Sequence, residues 1–148
     1  MRILGSDYTE LALDPIADRL FRVSKPFRAT VLTTDGKLTY EIEEGFVTDM
    51  RSGGKFVDFL IPWTGDQATA VSWLLHDVNY YGYVSFHFAN QILQQMLLRA
   101  KMSPWRASIV YWSVEEFGEG AWTALDETPP EPEYAGNKDR VKFAWGAP

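Results

Sequence analysis

The spacing of apolar residues changes from a period of two to a helical period along the chain, and this change constrains the fold most. β-branched and aromatic residues dominate residues 27–34 and 38–44, and Asp35-Gly36 lies between the two runs. The second run alternates apolar with polar side chains. This pattern predicts an antiparallel β-hairpin with one solvent-facing side, which residues 46–48 continue or extend by a third short strand.

Helical spacing replaces the alternation after residue 65. It predicts three helices, over about residues 66–81, 85–100 and 103–117. Each begins at a side chain that can accept a hydrogen bond from a backbone N–H of the first turn. These predicted capping residues are Asp66, Ser85 and Ser103. The first helix is apolar around most of its circumference, so we expect it to be the central, buried one.

The sequence therefore predicts an α+β fold, with an N-terminal antiparallel sheet of two or three strands packed on a three-helix bundle. Residues 11–20 have no definite predicted form, because Pro15 interrupts their apolar pattern. We expect residues 1–122 to form one domain and residues 123–148 to form an acidic, proline-rich C-terminal arm with an aromatic end. This arm is expected to dock either on its own domain or on a partner.

Net charge, cysteine content and hydropathy exclude several classes of protein. With 14 Lys and Arg against 20 Asp and Glu, the net charge is −6, and a broad basic field for nucleic acid is excluded. The chain has no cysteine for disulfides or thiolate chemistry. No apolar run approaches the roughly 18 residues of a membrane span, and no apolar signal segment follows Arg2. We therefore expect no nucleic-acid partner, no membrane span and no secretion by a signal peptide.

His76 is the strongest candidate for a catalytic residue. It is one of only two histidines and opens the sequence HDVNY, which places His76 and Tyr80 on one helix face beside Asp77. His76 and Asn90 lie equally far from the centre of the predicted turn between the first two helices. We therefore expect a hydrogen bond between His76 and Asn90. The other histidine, His87, is expected to be exposed in the first turn of its helix.

The sequences HDVNY and ANQIL, on consecutive helices, resemble the two-helix core of phospholipase A2 enzymes. The resemblance implies that His76 is a general base for water, with Asn90 and Tyr80 beside it in the catalytic group, and that Asp77 ligates calcium. Those enzymes have an Asp at the position of Asn90. Their glycine-rich calcium loop has no equivalent here.

A longer resemblance spans about Gly45 to Trp122. The segments GFVTDMRSGG, HDVNYYG and FHFANQIL, with a tryptophan-rich last helix, resemble the domain of unknown function 1353 family, which is known from tailed bacteriophages and prophages. This family usually has Asp at the position of Asn90. The resemblance implies a phage origin, and a location in the virion or in the cytoplasm of the bacterial host.

The loop from Thr48 to Ser52 is a candidate partner of His76. Asp49 together with Asp77 would supply two carboxylates for a divalent cation such as calcium, with the hydroxyls of Thr48 and Ser52 in support. The alternative is a structural cluster in which Asp49 accepts a hydrogen bond from His76. The sequence favours this alternative, because buried polar groups are usually satisfied structurally.

The first functional hypothesis is an accessory protein of the phage virion, in the tail, baseplate or neck, that acts through contacts with other virion proteins. The aromatic residues of the C-terminal arm, Tyr134, Phe143 and Trp145, are its candidate partner-binding residues. The second is a metal-assisted hydrolase of phospholipid or cell-wall material that uses His76 and Asp77. A third, weaker hypothesis is a host-takeover factor that binds a bacterial protein. Homo-oligomerisation is left open by the sequence.

Overall fold

The chain is seen in a computed structural model that describes residues 1–17, 20–49, 66–118 and 136–147. These residues fall into two compact units. The first contains the seven described strands, from the N-terminal 49 residues and the end of the C-terminal arm, and the second contains three helices. The predicted α+β class is confirmed, with more strands than the two or three expected.

The larger sheet of the first unit has four antiparallel strands. They are β1 (Ile3–Tyr8), β4 (Phe27–Thr33), β5 (Lys37–Ile42) and β7 (Val141–Gly146), which lie side by side in that order. Every second residue of β4 and β5 is buried, because alternate side chains of a strand point to opposite faces. The predicted hairpin with one solvent-facing side is therefore confirmed.

Thr33 and Gly36 organise the turn of this hairpin. The Thr33 hydroxyl accepts from the backbone N–H groups of Asp35 and Gly36, at 3.1 and 3.0 Å, and donates to the Gly36 carbonyl at 2.8 Å. A Cβ on Gly36 would clash with the indole of Trp145 and lie 2.8 Å from the carbonyl oxygen of Gly146. Glycine is therefore needed here because β7 approaches the turn closely.

A second, smaller sheet contains three short antiparallel strands. They are β2 (Leu13–Ala17), β3 (Leu20–Val23) and β6 (Val47–Thr48), in that order. The sequence predicted that residues 46–48 continue or extend the hairpin, but β6 pairs instead with β3 in this second sheet. The segment that contains Pro15 had no definite predicted form. Prolines in sheets are confined to edge strands and bulges, and β2 is an edge strand whose register with β3 shifts between Pro15 and Ala17.

The described end of the C-terminal arm is part of the first unit. A 3-10 turn (Lys138–Arg140) leads into β7, which pairs with β5 over the whole length of β5. The buried side-chain amide of Asn137 accepts from the N–H of Val47 and donates to its carbonyl, both at 2.8 Å, and so acts as a strand partner for β6. The sequence left open whether the arm docks on its own domain or on a partner. The described end of the arm docks on its own chain.

The second unit consists of three helices close to their predicted bounds. They are α1 (Gln67–Asn79), α2 (Phe86–Arg99) and α3 (Pro104–Phe117). Two predicted caps are confirmed by hydrogen bonds, because Asp66 accepts from the N–H of Ala68 and Ser85 from the N–H of Phe88. Ser103 is the N-cap of α3 without a side-chain hydrogen bond.

The middle helix, α2, packs against both α1 and α3. The most buried helix is α1, with nine of its thirteen residues buried, as its all-round apolar pattern predicted. Since His76 and Asn79 are among these nine, α1 carries polar groups into the interior, and their hydrogen bonds matter for stability. In the described part of the chain, no helix is long and apolar enough to cross a membrane.

Candidate functional site

The imidazole of His76 is enclosed by aromatic rings of its own helix. Only 1% of His76 is exposed. The ring of Tyr80, one turn later in α1, meets it edge-to-face with centroids 4.9 Å apart, and Trp73, one turn earlier, does so at 6.0 Å. Helical spacing brings these three rings together, so the predicted shared face of His76 and Tyr80 is confirmed.

The amide of Asn90 holds the inner nitrogen of His76. His76 Nε2 lies 2.7 Å from Asn90 Oδ1, so the hydrogen bond expected across the α1–α2 hairpin is confirmed. Asn90 is fully buried. Because the turn separates the two residues evenly, local chain geometry places them opposite each other.

Glu115 of α3 decides which way this amide points. Asn90 Nδ2 donates to Glu115 Oε1 at 3.3 Å, and an ionised carboxylate only accepts hydrogen bonds. The Asn90 oxygen must therefore face His76, and His76 Nε2 must carry the proton. A residue on the third helix thus sets the tautomer of a histidine on the first.

His87 completes a chain of four polar side chains that runs from the interior to the surface. Its Nδ1 lies 2.6 Å from Glu115 Oε2, and 76% of its side chain is exposed, as the sequence predicted. The order is His76, Asn90, Glu115, His87, which we call the His76–His87 chain. It contains both histidines of the protein.

Burial changes the proton affinity of two residues in this region. It lowers the pKa of His76 from 6.5 to about 4, and the hydrogen bond to Asn90 opposes this shift. His76 is therefore neutral at neutral pH. Burial also raises the pKa of Tyr111, and the charge and hydrogen bond of Glu115 raise it further. Glu115 consequently interacts with three side chains, those of Asn90, His87 and Tyr111.

The second ring nitrogen of His76 does not take part in the hydrogen bond to Asn90. Its Nδ1 is buried and has no hydrogen-bond partner among the residues that the structure describes. With Nε2 protonated, Nδ1 carries a lone pair and is the atom that could take a proton. A pKa of about 4 makes it a weak base at neutral pH. The arrangement therefore fixes the imidazole firmly and offers limited general-base strength.

The remaining predicted residues of this site lie in both units. Asp77 is partly exposed on α1, next to His76. Thr48 is buried in β6 of the first unit, and Asp49 follows it. Ser52 lies outside the described residues. In the described ranges, no group of three or more His, Asp or Glu side chains is placed to hold a metal ion.

The predicted partner-binding residues lie on β7. The ring of Phe143 packs edge-to-face on buried Tyr40, with centroids 5.2 Å apart, and Trp145 is 45% exposed. Tyr134 lies outside the described residues. Trp145 lies on the same face of β7 as Phe143, opposite buried Leu38 and against the hairpin turn at Gly36, and nearly half of it is exposed.

Sequence reasoning missed Glu115, the residue on which the His76–His87 chain depends. The available signal was its helical position, because Glu115 lies at the border of the buried face of α3 formed by Ala107, Val110 and Val114. Its partners gave no signal, since Asn90 and His87 are 25 and 28 residues away in sequence.

The chain belongs to a family of proteins described as protein of unknown function (DUF1353), whose family model matches residues 21–114. The matched range contains His76, His87 and Asn90 and ends one residue before Glu115. Comparison with curated proteins and with solved structures gave no significant match.

We predict that His76 makes stability depend on pH. The unfolded chain binds a proton at His76 near pH 6.5, whereas the folded chain binds it only near pH 4, so stability is complete above pH 6.5 and falls as the pH approaches 4. The loss amounts to about 3 kcal/mol, from a shift of about 2.5 pKa units. Urea unfolding gives the free energy of unfolding of wild type and of His76→Gln at each pH in this range. The difference between the two pH profiles measures the contribution of His76.

The matched control is His87→Gln, which removes the other histidine and keeps His76. The stability of His87→Gln should still fall between pH 6.5 and pH 4, as that of wild type does. A wild-type curve parallel to that of His76→Gln would show that His76 is not buried as a neutral imidazole.

We predict that Asn90→Asp destabilises the protein when made alone, and much less when it is combined with Glu115→Gln. Asn90→Asp places a second carboxylate 3.3 Å from that of Glu115 and should cost about 2 kcal/mol or more at neutral pH. Adding Glu115→Gln restores a donor–acceptor pair and should recover most of this loss. In the double variant the new carboxylate faces His76, so the His76 pKa should rise.

Chemical denaturation and NMR titration of His76 measure these two effects. Glu115→Gln alone is the control for the loss of the carboxylate. If the stability change of the double variant equals the sum of the changes in the two single variants, Asn90 and Glu115 do not interact directly.

Proposed function

We propose that this protein is a phage-encoded accessory protein of the virion, in the tail, baseplate or neck, that acts through contacts with other virion proteins. The phage context rests on the family and on its resemblance to proteins of tailed bacteriophages. The mode of action rests on the surface of the described residues. Its location would be the virion, or the host cytoplasm before assembly.

Exposed tryptophan is the observation that carries this proposal. Of the five large apolar side chains exposed among the described residues, three are Trp105, Trp112 and Trp145. A half-exposed indole offers roughly 100 Å² of surface, and covering it is worth about 2–3 kcal/mol. Tryptophan is also enriched at the energetic centres of protein interfaces. A surface with three such side chains is typical of a protein that binds another protein.

Trp145 is the best placed of the three to meet a virion partner. It lies on β7, at one edge of the larger sheet, and edge strands accept further strands by backbone pairing. Phe143 on the same strand packs on Tyr40, which fixes β7 in place. Phe143 and Trp145 therefore remain the proposed contact residues, with Phe143 as the anchor and Trp145 as the contact.

We predict that Trp145→Ala lowers incorporation into particles at least tenfold, which corresponds to the loss of about 1.4 kcal/mol or more of binding energy. A phage that lacks the gene is complemented with wild type or variant, and the chain is quantified in purified particles. Deleting the whole arm is less informative, because it removes β7 from the sheet.

Leu4→Ala is the matched control, because Leu4 is 50% exposed on β1, the opposite edge strand of the same sheet. It should be incorporated like wild type. Wild-type chain that is absent from particles but bound to a bacterial protein would reject the virion role and favour the host-takeover factor.

A metal-assisted hydrolase is the second candidate, and the buried Nδ1 of His76 is the observation that favours it. In this proposal Nδ1 takes a proton from water while Asn90 holds Nε2, as in the arrangement that the phospholipase A2 resemblance implies. Asp77 would hold a divalent cation such as calcium, which polarises the ester carbonyl when bound. The low pKa of His76 and its burial weaken this candidate relative to the first.

The hydrolase proposal predicts saturable calcium binding that Asp77→Ala abolishes, and ester hydrolysis that His76→Gln abolishes. Calorimetric titration with calcium, run beside a phospholipid and ester assay, measures both. Asp66→Asn is a matched control for loss of a carboxylate on the same helix, since it lies at the other end of α1. No binding heat in a chain that unfolds cooperatively would reject this candidate.

A further inference from the structure

α3 has apolar side chains on two opposite faces. Ala107, Val110 and Val114 are buried on one face. The opposite face carries Trp105 and Trp112, seven residues apart and 57% and 52% exposed. Helical spacing adds partly exposed Ile109 and exposed Ser108 between them, and Glu116 one turn beyond Trp112. We call these five residues the outer face of α3.

A helix that is apolar on both sides is typical of a helix packed between two layers. The inner layer for α3 is α2, against which it packs. The high exposure of Trp105 and Trp112 leaves apolar surface on the outer face that a second layer would cover.

The charged residues of α3 are placed unfavourably with respect to its helix dipole. A helix favours acids in its first turn and bases in its last turn, because its N-terminus is partially positive and its C-terminus partially negative. In α3 the first turn has no acid and carries Arg106, while the last turn has no base and carries Glu115 and Glu116. This distribution is unfavourable for an isolated helix.

The cations extend beyond the start of α3. Arg99 and Lys101, in the segment that leads into α3, are exposed, as is Arg106, whose guanidinium lies 5.2 Å from the ring centroid of Trp105. No Asp or Glu occurs between Asp77 and Glu115 in the sequence. One end of the outer face is therefore cationic and the other end anionic.

We propose that the outer face of α3 binds the same face of a second copy of this chain, with the two α3 helices antiparallel. A two-fold axis near Ser108 and Ile109 places Trp105 beside the partner's Trp112, and both tryptophans of each copy are then used. The small Ser108 side chain lets the helices approach at the axis. Such a self-complementary patch is what an isologous dimer requires.

The antiparallel arrangement also satisfies the charges. The cationic N-terminal end of each α3 lies beside the anionic C-terminal end of the other, and about this axis Lys101 lies level with the partner's Glu116. Helix dipoles that run antiparallel side by side attract each other as well. A parallel pair would instead bring like charges together at both ends.

The small apolar area that the proposed interface would bury indicates a weak dimer. The four half-exposed indoles supply roughly 400 Å² of apolar surface. This is the apolar centre of a small interface and falls below the roughly 1,600 Å² of a standard one. We therefore expect a dissociation constant in the micromolar range, which gives a concentration-dependent mass. The inference does not depend on the proposed virion role, because it concerns the free protein.

Sedimentation equilibrium of the full chain over the micromolar range, at low and high salt, tests the dimer. Wild type should dimerise, more weakly at high salt. Trp112→Glu should raise the dissociation constant at least about tenfold, since it buries a charge at the centre of the interface. All substituted positions are exposed, so the variants should fold; Glu116→Lys places a base in the last turn of α3 and should melt slightly above wild type.

Charge reversal tests the antiparallel orientation. Lys101→Glu and Glu116→Lys should each weaken the dimer several-fold, and the double variant Lys101→Glu/Glu116→Lys should return to within about threefold of wild type. Leu4→Glu is the control, because Leu4 is an exposed apolar residue in the first unit. It should leave the dimer unchanged.

Several outcomes would overturn the proposal. These are a monomer at every concentration in low salt, a dimer that resists Trp112→Glu, and a dimer that Leu4→Glu dissociates. If single charge reversals weaken the dimer and the double variant does not recover, the antiparallel orientation is wrong.

Discussion

The helical unit depends on one side chain, the fully buried amide of Asn90. An amide has one end that donates and one that accepts, and Asn90 uses both, toward Glu115 and His76. Because Glu115 can only accept, the direction of the whole hydrogen-bonded sequence is fixed. The three helices are thereby held in one register, since a shift of any of them would leave a buried polar group without a partner.

The sheet unit depends on a comparable long-range contact. Asn137 and β7 come from the end of the chain, and Asn137 reaches Val47 across 90 residues of sequence. β7 covers Tyr40 with Phe143 and passes so close to the hairpin turn that Gly36 cannot carry a side chain. The C-terminal arm is thus structural at its end. The exposed part of Trp145, which shares a face of β7 with Phe143, is the proposed partner contact.

Chemistry and recognition are separated in this molecule. His76 and Asn90, which resemble part of a catalytic group, are buried, neutral and hydrogen-bonded to each other, which suits them to hold helices together. The residues suited to recognition, the three exposed tryptophans, lie on α3 and β7. The proposed dimer uses α3 of the helical unit, whereas the proposed virion contact uses β7 of the sheet unit.

The sequence by itself determined the hairpin, the three helices with two of their caps, and the pairing of His76 with Asn90. All of these follow from periodicity and spacing within about one supersecondary unit, where chain geometry leaves few alternatives. Only the tertiary structure decided the role of Glu115, the strands β2, β3 and β7, and which tryptophans are exposed. Pro15 hid β2 because its tolerance depends on an edge position, which is a property of the assembled sheet. Glu115 and β7 stayed hidden because their partners are distant in sequence, and local pattern carries no information about which distant groups folding brings together.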